Sequence, residues 1–212
     1  MAKSKTVKIG IIGVGNMGTH HTRYMHEVPN AKLTAIADHD SARAERAKSS
    51  ANNSDEIEVF SDGMELINKG DVDAILIATP HYDHPPLTLA AFKKGLHVLT
   101  EKPVGVTAAA ADKVNKAYSK LKKKPVWGAM FQQRTNPTWR KVKQLIEDGE
   151  IGEITRVTWL ITNWFRSQAY YDSGGWRATW AGEGGGVLIN QCPHNLDLIQ
   201  WFVGMPNKVT AN

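Results

Sequence analysis

The feature that most constrains this chain is Gly13-Val14-Gly15-Asn16-Met17-Gly18, a G-x-G-x-x-G run that closes the apolar stretch Val7–Val14 and opens a stretch with helical spacing. Glycine-rich turns are common, and the bland reading is a tight strand–helix turn with no ligand. The setting of strand, turn and helix is what makes the run a dinucleotide fingerprint. Gly13 permits the sharp turn, Gly15 lets the backbone approach a pyrophosphate, and Gly18 lets helix and strand pack closely. Asn16 and Met17 lie inside the same cradle, where the amides and the positive end of the helix face the phosphates. Asp38 stands twenty residues beyond Gly18, at the end of the second apolar run. A carboxylate there accepts hydrogen bonds from both ribose hydroxyls and repels a 2′-phosphate. NAD is therefore the expected cofactor. Arg43 and His39 lie close enough in sequence to reach a phosphate, which keeps NADP as the second candidate. The plainer role for Asp38 is a helix N-terminal acid, which Asp40 or Ser41 supplies equally well.

Strand and helix signals alternate through the first two thirds of the chain. Apolar runs fall at Val7–Val14, Leu33–Ala37, Ile57–Phe60, Ala74–Ala78, His97–Leu99 and Val126–Ala129. Between them Met17, His21, Tyr24 and Val28 recur at helical spacing, and Ser41–Ser50, Asp62–Lys69, Pro85–Lys94 and Thr107–Lys122 are helix-like. Six strands with intervening helices imply an α/β doubly wound parallel sheet, and right-handed crossovers give the strand order 3-2-1-4-5-6. The rhythm changes after Ala129. A helix is expected over Thr138–Glu147, a β-rich stretch over Ile154–Phe165, an aromatic and glycine-rich loop over Gln168–Gly186, a helix from Pro193 to Val203 and the start of a strand at Lys208–Asn212. The division expected is a dinucleotide-binding domain over 1–129 and the incomplete start of a second α/β domain over 130–212.

Ligands of a doubly wound sheet sit at the carboxyl ends of its strands. The fifth strand ends in Thr100-Glu101-Lys102-Pro103 and the fourth in Ala78-Thr79-Pro80-His81-Tyr82-Asp83-His84. Most lysines are solvated surface charges, but partial burial at such a strand end lowers the proton affinity of Lys102 and makes it a usable base. Thr79 and Pro80 are placed to line the nicotinamide site. His81 and His84 suit structural work as well as ligand contact, and with no cysteine and no clear third ligand beside them a zinc site is rejected. Farther on, Gly184–Asp197 contains Asn190, His194 and Asp197, spaced so that Asn190 and His194 project to one side with Asp197 one turn beyond. His194 is positioned to polarise or deprotonate a hydroxyl, Asn190 to place it, and Asp197 to orient the imidazole. The alternative is a polar cluster capping an apolar helix. Tyr171, Trp176 and Arg177 in the aromatic loop are candidate substrate neighbours, with stacking for a sugar face and a guanidinium for an acidic substituent. Trp159, Trp164 and Trp201 are expected to anchor cores.

The bulk properties restrict the class further. Apolar residues at 42% and charged residues at 22% of 212 residues describe an ordinary globular chain, and no apolar run approaches the ~20 residues that span a bilayer. The basic start is followed by a glycine-broken run with no cleavage site, which argues against a signal peptide. Cys192 is the only cysteine, which excludes an internal disulfide and suits a reducing cytoplasm. The net charge of +5 permits nucleic-acid binding, but the lysines at 120 and 122–124 close a predicted helix and lack interleaved aromatics. Neither a nucleic acid nor a membrane is an expected partner.

With these residues in view, the chain resembles the glucose–fructose oxidoreductase/inositol dehydrogenase/rhizopine catabolism proteins (Gfo/Idh/MocA). The likeness rests on the Gly13–Gly18 loop, on Ala78-Thr79-Pro80 with His84, on Gly95–Pro103 with its Glu-Lys-Pro, and on Gly184–His194 with Asp197. It implies a Rossmann-type domain followed by an α/β domain with an open antiparallel sheet, which often forms an oligomer interface. A homo-oligomer is expected on that ground. The family's catalytic lysine corresponds to Lys102 and its later histidine to His194; Thr79, Pro80, His84, Glu101 and Lys102 fall on the cofactor side. Two positions depart from the pattern: Asn190 stands where many members have aspartate, and His81 replaces the usual asparagine after Thr-Pro. Asn190 cannot relay a proton. The implied activity is hydride transfer between NAD(P) and a secondary alcohol of a sugar, cyclitol or sugar acid. A nicotinamide-binding regulator without turnover would share the glycine loop and Asp38 but would need neither Lys102 nor His194. A hydrolase that oxidises and re-reduces its sugar with a retained NAD is a related chemical variant that these residues also allow.

Overall fold

The computed structural model describes residues 6–162 and 164–210. Six short strands, β1 (Val7–Ile12), β2 (Ala31–Ala37), β3 (Glu58–Phe60), β4 (Ala74–Ile77), β5 (His97–Thr100) and β6 (Trp127–Ala129), form one sheet in the order β3-β2-β1-β4-β5-β6. Every pairing is parallel. The order is the one read from the sequence. Helices α1 (Asn16–Tyr24), α2 (Ser41–Ser49), α3 (Gly63–Lys69), α4 (His84–Lys94) and α5 (Ala108–Ser119) make the crossovers. Neighbouring residues of one strand feed opposite faces. Ile12 packs with Leu66, Ile75, Phe92 and Val114. Ile11 packs with Val14, Leu33, Ala44 and Leu76. A sheet covered on both sides reads as continuous apolar runs, which is why the strands stood out.

Side-chain caps fix the starts of α2, α3 and α5: Asp40 accepts from the Arg43 amide, Asp62 from Met64 and Glu65, and Thr107 from Ala110. These accept the orphan donors of the first turn. The predicted apolar stripe of α1 is not its buried face. Met17, Tyr24 and Val28 are exposed, whereas Gly18, Thr22 and Met25 are buried. A side chain at position 18 would drive its Cβ to 1.8 Å from the Gly13 carbonyl oxygen, so the helix turns its glycine to the sheet, and glycine carries no apolar signal.

Beyond β6 the chain forms α6 (Pro137–Glu147), the short helices α7 (Gln168–Asp172), α8 (Trp180–Glu183) and α9 (Val187–Asn190), and α10 (Pro193–Val203). Among the described residues, the β-rich stretch expected at 154–165 is not a strand; residue 163 lies outside the described residues. A strand is defined by its pairing, and among the described residues no other strand flanks this stretch. Val157 and Ile161 are exposed. Among the described residues of this stretch, Trp159 alone finds cover, against Trp139 and Phe202. Trp201 packs on Phe202 as expected of a core residue, but Trp164 is exposed and lies under Arg166. Residues 208–210 are likewise not a strand, and 211 and 212 lie outside the described residues. No described helix is long and apolar enough to cross a membrane.

Candidate active site

Because β1 and β4 are neighbours whose crossovers leave in opposite directions, the loops after them part and open a crevice at the carboxyl end of the sheet. The glycine loop forms one wall. Gly13 has φ +84°, and a Cβ there would meet the Thr79 amide nitrogen at 2.7 Å. Gly15 faces open space, with nothing within 4 Å of where a Cβ would stand. Asn16 and Met17 are exposed in the first turn of α1, whose amides have no acceptor within the helix. This cradle fits a pyrophosphate. Thr79 adds a second sign of a missing polar ligand: its buried Oγ1 has no hydrogen-bond partner among the described residues. Pro80 is half-buried beside it.

Asp38 lies where the sequence put it but is more committed than expected. Its carboxylate accepts from the Val14 amide at 2.9 Å, from the Asp40 amide at 3.0 Å and from Arg43 Nη1 at 3.1 Å. It thus stitches the glycine loop to the second strand. Arg43 must give way before a ribose diol can take both oxygens.

Lys102 occupies the loop beyond β5. Its ammonium donates to the Asn190 backbone oxygen and, at 3.2 Å, to Asn190 Oδ1. Burial lowers its proton affinity from the ordinary lysine value; Glu101 and Glu183 oppose that effect and Arg177 and Arg166 add to it. Glu101 is itself buried and its carboxylate meets His21 Nε2 of α1 at 2.9 Å. The glycine-loop helix and the lysine loop are therefore tied together. His84 is fully buried, with Nδ1 2.6 Å from the Pro103 oxygen and Nε2 2.9 Å from the Thr79 oxygen. Both partners are acceptors, so a ring bonding both at once carries two protons. Burial works the other way and lowers its proton affinity. In either state His84 braces the ends of β4 and β5, with both ring nitrogens already engaged.

The second wall comes from the chain after β6. Asn190, buried at the end of α9, uses its amide twice: Oδ1 accepts from Lys102 and Nδ2 donates to Glu183 Oε1. His81 is buried, donates from Nδ1 to the Glu183 backbone oxygen at 2.8 Å and meets the edge of Trp176 at 5.1 Å. Burial pushes its pKa down to about 4, so the ring is neutral at neutral pH. Arg177 is sandwiched between Tyr170 and Trp176, and Arg166 between Trp164 and Tyr170. Neither arginine forms an ion pair among the described residues, and the Nε of each is buried without a partner. Tyr171 packs against Tyr170 at 5.2 Å, one ring removed from Arg177.

His194 is half-buried near Lys102, and burial first, then the Lys102 charge, lowers its proton affinity. Asp197 does not orient it. That carboxylate is held by Arg134, whose Nε and Nη2 donate at 2.7 and 2.6 Å, and His194 Nδ1 is left buried without a hydrogen-bond partner. A bidentate guanidinium outcompetes an imidazole for the same oxygens. The fold thus brings Lys102, Asn190, His81, Trp176 and Arg177 together with Glu183, which sequence reasoning passed over. The available signal was slight: Glu183 is the only charged residue between Arg177 and His194.

Comparison with known proteins agrees with the fold. Residues 7–128 match the model described as the oxidoreductase family with an NAD-binding Rossmann fold, and residues 139–212 match the GFO/IDH/MocA C-terminal domain. An inositol 2-dehydrogenase of Rubrobacter xylanophilus is 34% identical over 201 residues, which is 94% of this chain and 53% of the relative. An inositol 2-dehydrogenase of Corynebacterium glutamicum is 29% identical, over 95% of this chain and 55% of its own. Among solved structures, the WlbA dehydrogenase from Bordetella pertussis in complex with NADH and UDP-GlcNAcA superposes with a TM-score of 0.81 at 28% identity, covering 96% of this chain and 59% of that one. The scyllo-inositol dehydrogenase of Lactobacillus casei with NAD(H) and scyllo-inositol gives 0.77 at 27%, covering 94% and 57%. The chain spans about half the length of the curated relatives it matches.

Proposed function

Because the chain belongs to the Gfo/Idh/MocA family of oxidoreductases, whose N-terminal domain is an NAD-binding Rossmann fold, we propose that it oxidises a secondary alcohol of a sugar, cyclitol or sugar acid with NAD. The observation that carries this reading is Lys102: an amine half-buried at the carboxyl end of β5, hydrogen-bonded to Asn190 and tied through Glu101 and His21 to the helix of the glycine loop.

The glycine loop and the first turn of α1 would hold the pyrophosphate, Asp38 the adenosine ribose, and Thr79 with Pro80 the nicotinamide end. NAD, when bound, supplies the hydride acceptor. The neutral amine of Lys102 would take the hydroxyl proton of the substrate alcohol as it becomes a carbonyl, and the ammonium would return that proton in the reverse direction. Burial favours the neutral amine that this step needs. Asn190 steadies the amine, and His194, half-buried near Lys102, is a second group able to bond the substrate oxygen. The gain from such positioning is the avoided entropy of aligning two carbons and a base.

Relatives that act on inositol and a structural neighbour holding UDP-GlcNAcA bracket the substrate class. Arg166 and Arg177, stacked on aromatic rings without carboxylate partners, favour a member bearing a carboxylate or phosphate. The test is a screen of inositols, aldoses and uronic acids with NAD and NADP on the full-length protein, followed by absorbance of the reduced cofactor. Turnover of at least one polyol is expected; tight NAD binding with no oxidation of any would favour a regulator instead.

A further inference from the structure

We infer that Glu183 is a positioning residue for the proton-transfer step, its carboxylate holding the Asn190 amide so that the oxygen of that amide faces the Lys102 amine. The inference rests on the reading of Lys102 given above.

An asparagine amide offers an acceptor at one end and a donor at the other, and which end faces Lys102 depends on what claims the opposite end. Here Nδ2 donates to Glu183 Oε1 and Oδ1 accepts from Lys102 Nζ. A carboxylate only accepts, so it selects this orientation. It also returns a negative charge to the place where Asn190 itself has none. Glu183 is 4% exposed, and no cationic side chain pairs with it among the described residues. An ionised acid so deeply placed needs compensation. His81, bonded to the Glu183 backbone oxygen, is neutral. The compensating cation is Lys102, reached across one amide.

The consequence is a signed effect on Lys102. The charged groups acting on it are Glu101 and Glu183, which favour the ammonium, and Arg166 and Arg177, which oppose it, with His194 and His81 alongside. Without the Glu183 charge, Lys102 faces two guanidiniums with Glu101 alone in its favour. The amine then loses its proton at lower pH. A residue that only filled space would leave that titration where it was.

The experiment uses full-length protein, wild type and Glu183→Gln, in two measurements. Competitive acetylation with acetic anhydride, read at the Lys102 peptide by mass spectrometry, follows the amine in cofactor-free protein. The pH dependence of kcat with NAD and myo-inositol follows it in turnover. In Glu183→Gln the acetylation midpoint and the acidic limb of kcat should both move to lower pH, by about one unit, and Glu183→Asp, which keeps the charge, should return most of the shift. A midpoint unmoved or raised in a Gln variant with wild-type circular dichroism overturns the inference. Should that variant not fold, Glu183→Ser removes the same charge with a smaller side chain, and an unmoved acetylation midpoint there is equally fatal. Absence of turnover by wild type with every polyol of the screen would defeat the dehydrogenase reading, while the acetylation midpoints decide the role of Glu183 by themselves.

Discussion

Two residues at the junction of the glycine loop and the aromatic loop carry opposite lessons about burial. Lys102 uses it: desolvation moves the amine toward the neutral form that a base requires. Replacing Lys102 by alanine should slow steady-state oxidation by ~10²–10⁴-fold, with NAD affinity by fluorescence titration changed far less; an unchanged kcat would end its assignment as the base. His81 is constrained by burial. With its pKa at about 4 in the folded chain against 6.5 ordinarily, the unfolded chain binds the proton more readily between those values. The contribution of the neutral ring is therefore complete above pH 6.5 and is lost as pH falls toward 4. In urea titrations wild type should lose about 1–2 kcal/mol more than His81→Gln between neutral pH and pH 5, since glutamine can still donate to the Glu183 oxygen without titrating. Equal losses would show that His81 is not held neutral.

The glycine loop and α1 form an element whose stability and ligand binding can be separated by two neighbouring glycines. A Cβ at position 18 collides with the Gly13 carbonyl, whereas one at position 15 meets nothing. Gly18→Ala should therefore lower both Tm and NAD affinity. Gly15→Ala should leave Tm near wild type and weaken NAD at least about tenfold, because its methyl stands where the backbone must approach the phosphates. Loss of Tm in Gly15→Ala would contradict that division. The six strands, their order and this loop were legible because each has a local signal: a two-faced apolar run, or a glycine needed where it stands. Other features were not. The Met17–Val28 stripe misled because the face that packs is made by Gly18 and Thr22. The alternation at 154–165 promised a strand, but pairing is a property of two segments and not one. Glu183 was missed because a lone acid reads as solvated until the fold encloses it.

At the scale of the molecule the question is what seats the chain after β6 against the sheet. Arg134, just beyond β6, reaches across 63 residues of sequence to Asp197 in α10 and lies over Trp201 at 5.5 Å. No local pattern signals such a clamp, and it redirects Asp197 away from His194. Arg134→Met should cost about 2 kcal/mol in denaturant titrations, less than a fully buried pair because the guanidinium remains 38% exposed. It should also raise the KM for the alcohol substrate while leaving the affinity for NAD nearly unchanged, since the wall carrying Asn190 and His194 would loosen while the glycine cradle stays. Everything else depends on that cradle. Titrating NAD into the full-length protein in a calorimeter tests it most directly: the account predicts saturable heat at one NAD per chain, much reduced by Gly15→Ala, and a folded protein giving no heat with NAD or NADP would contradict it.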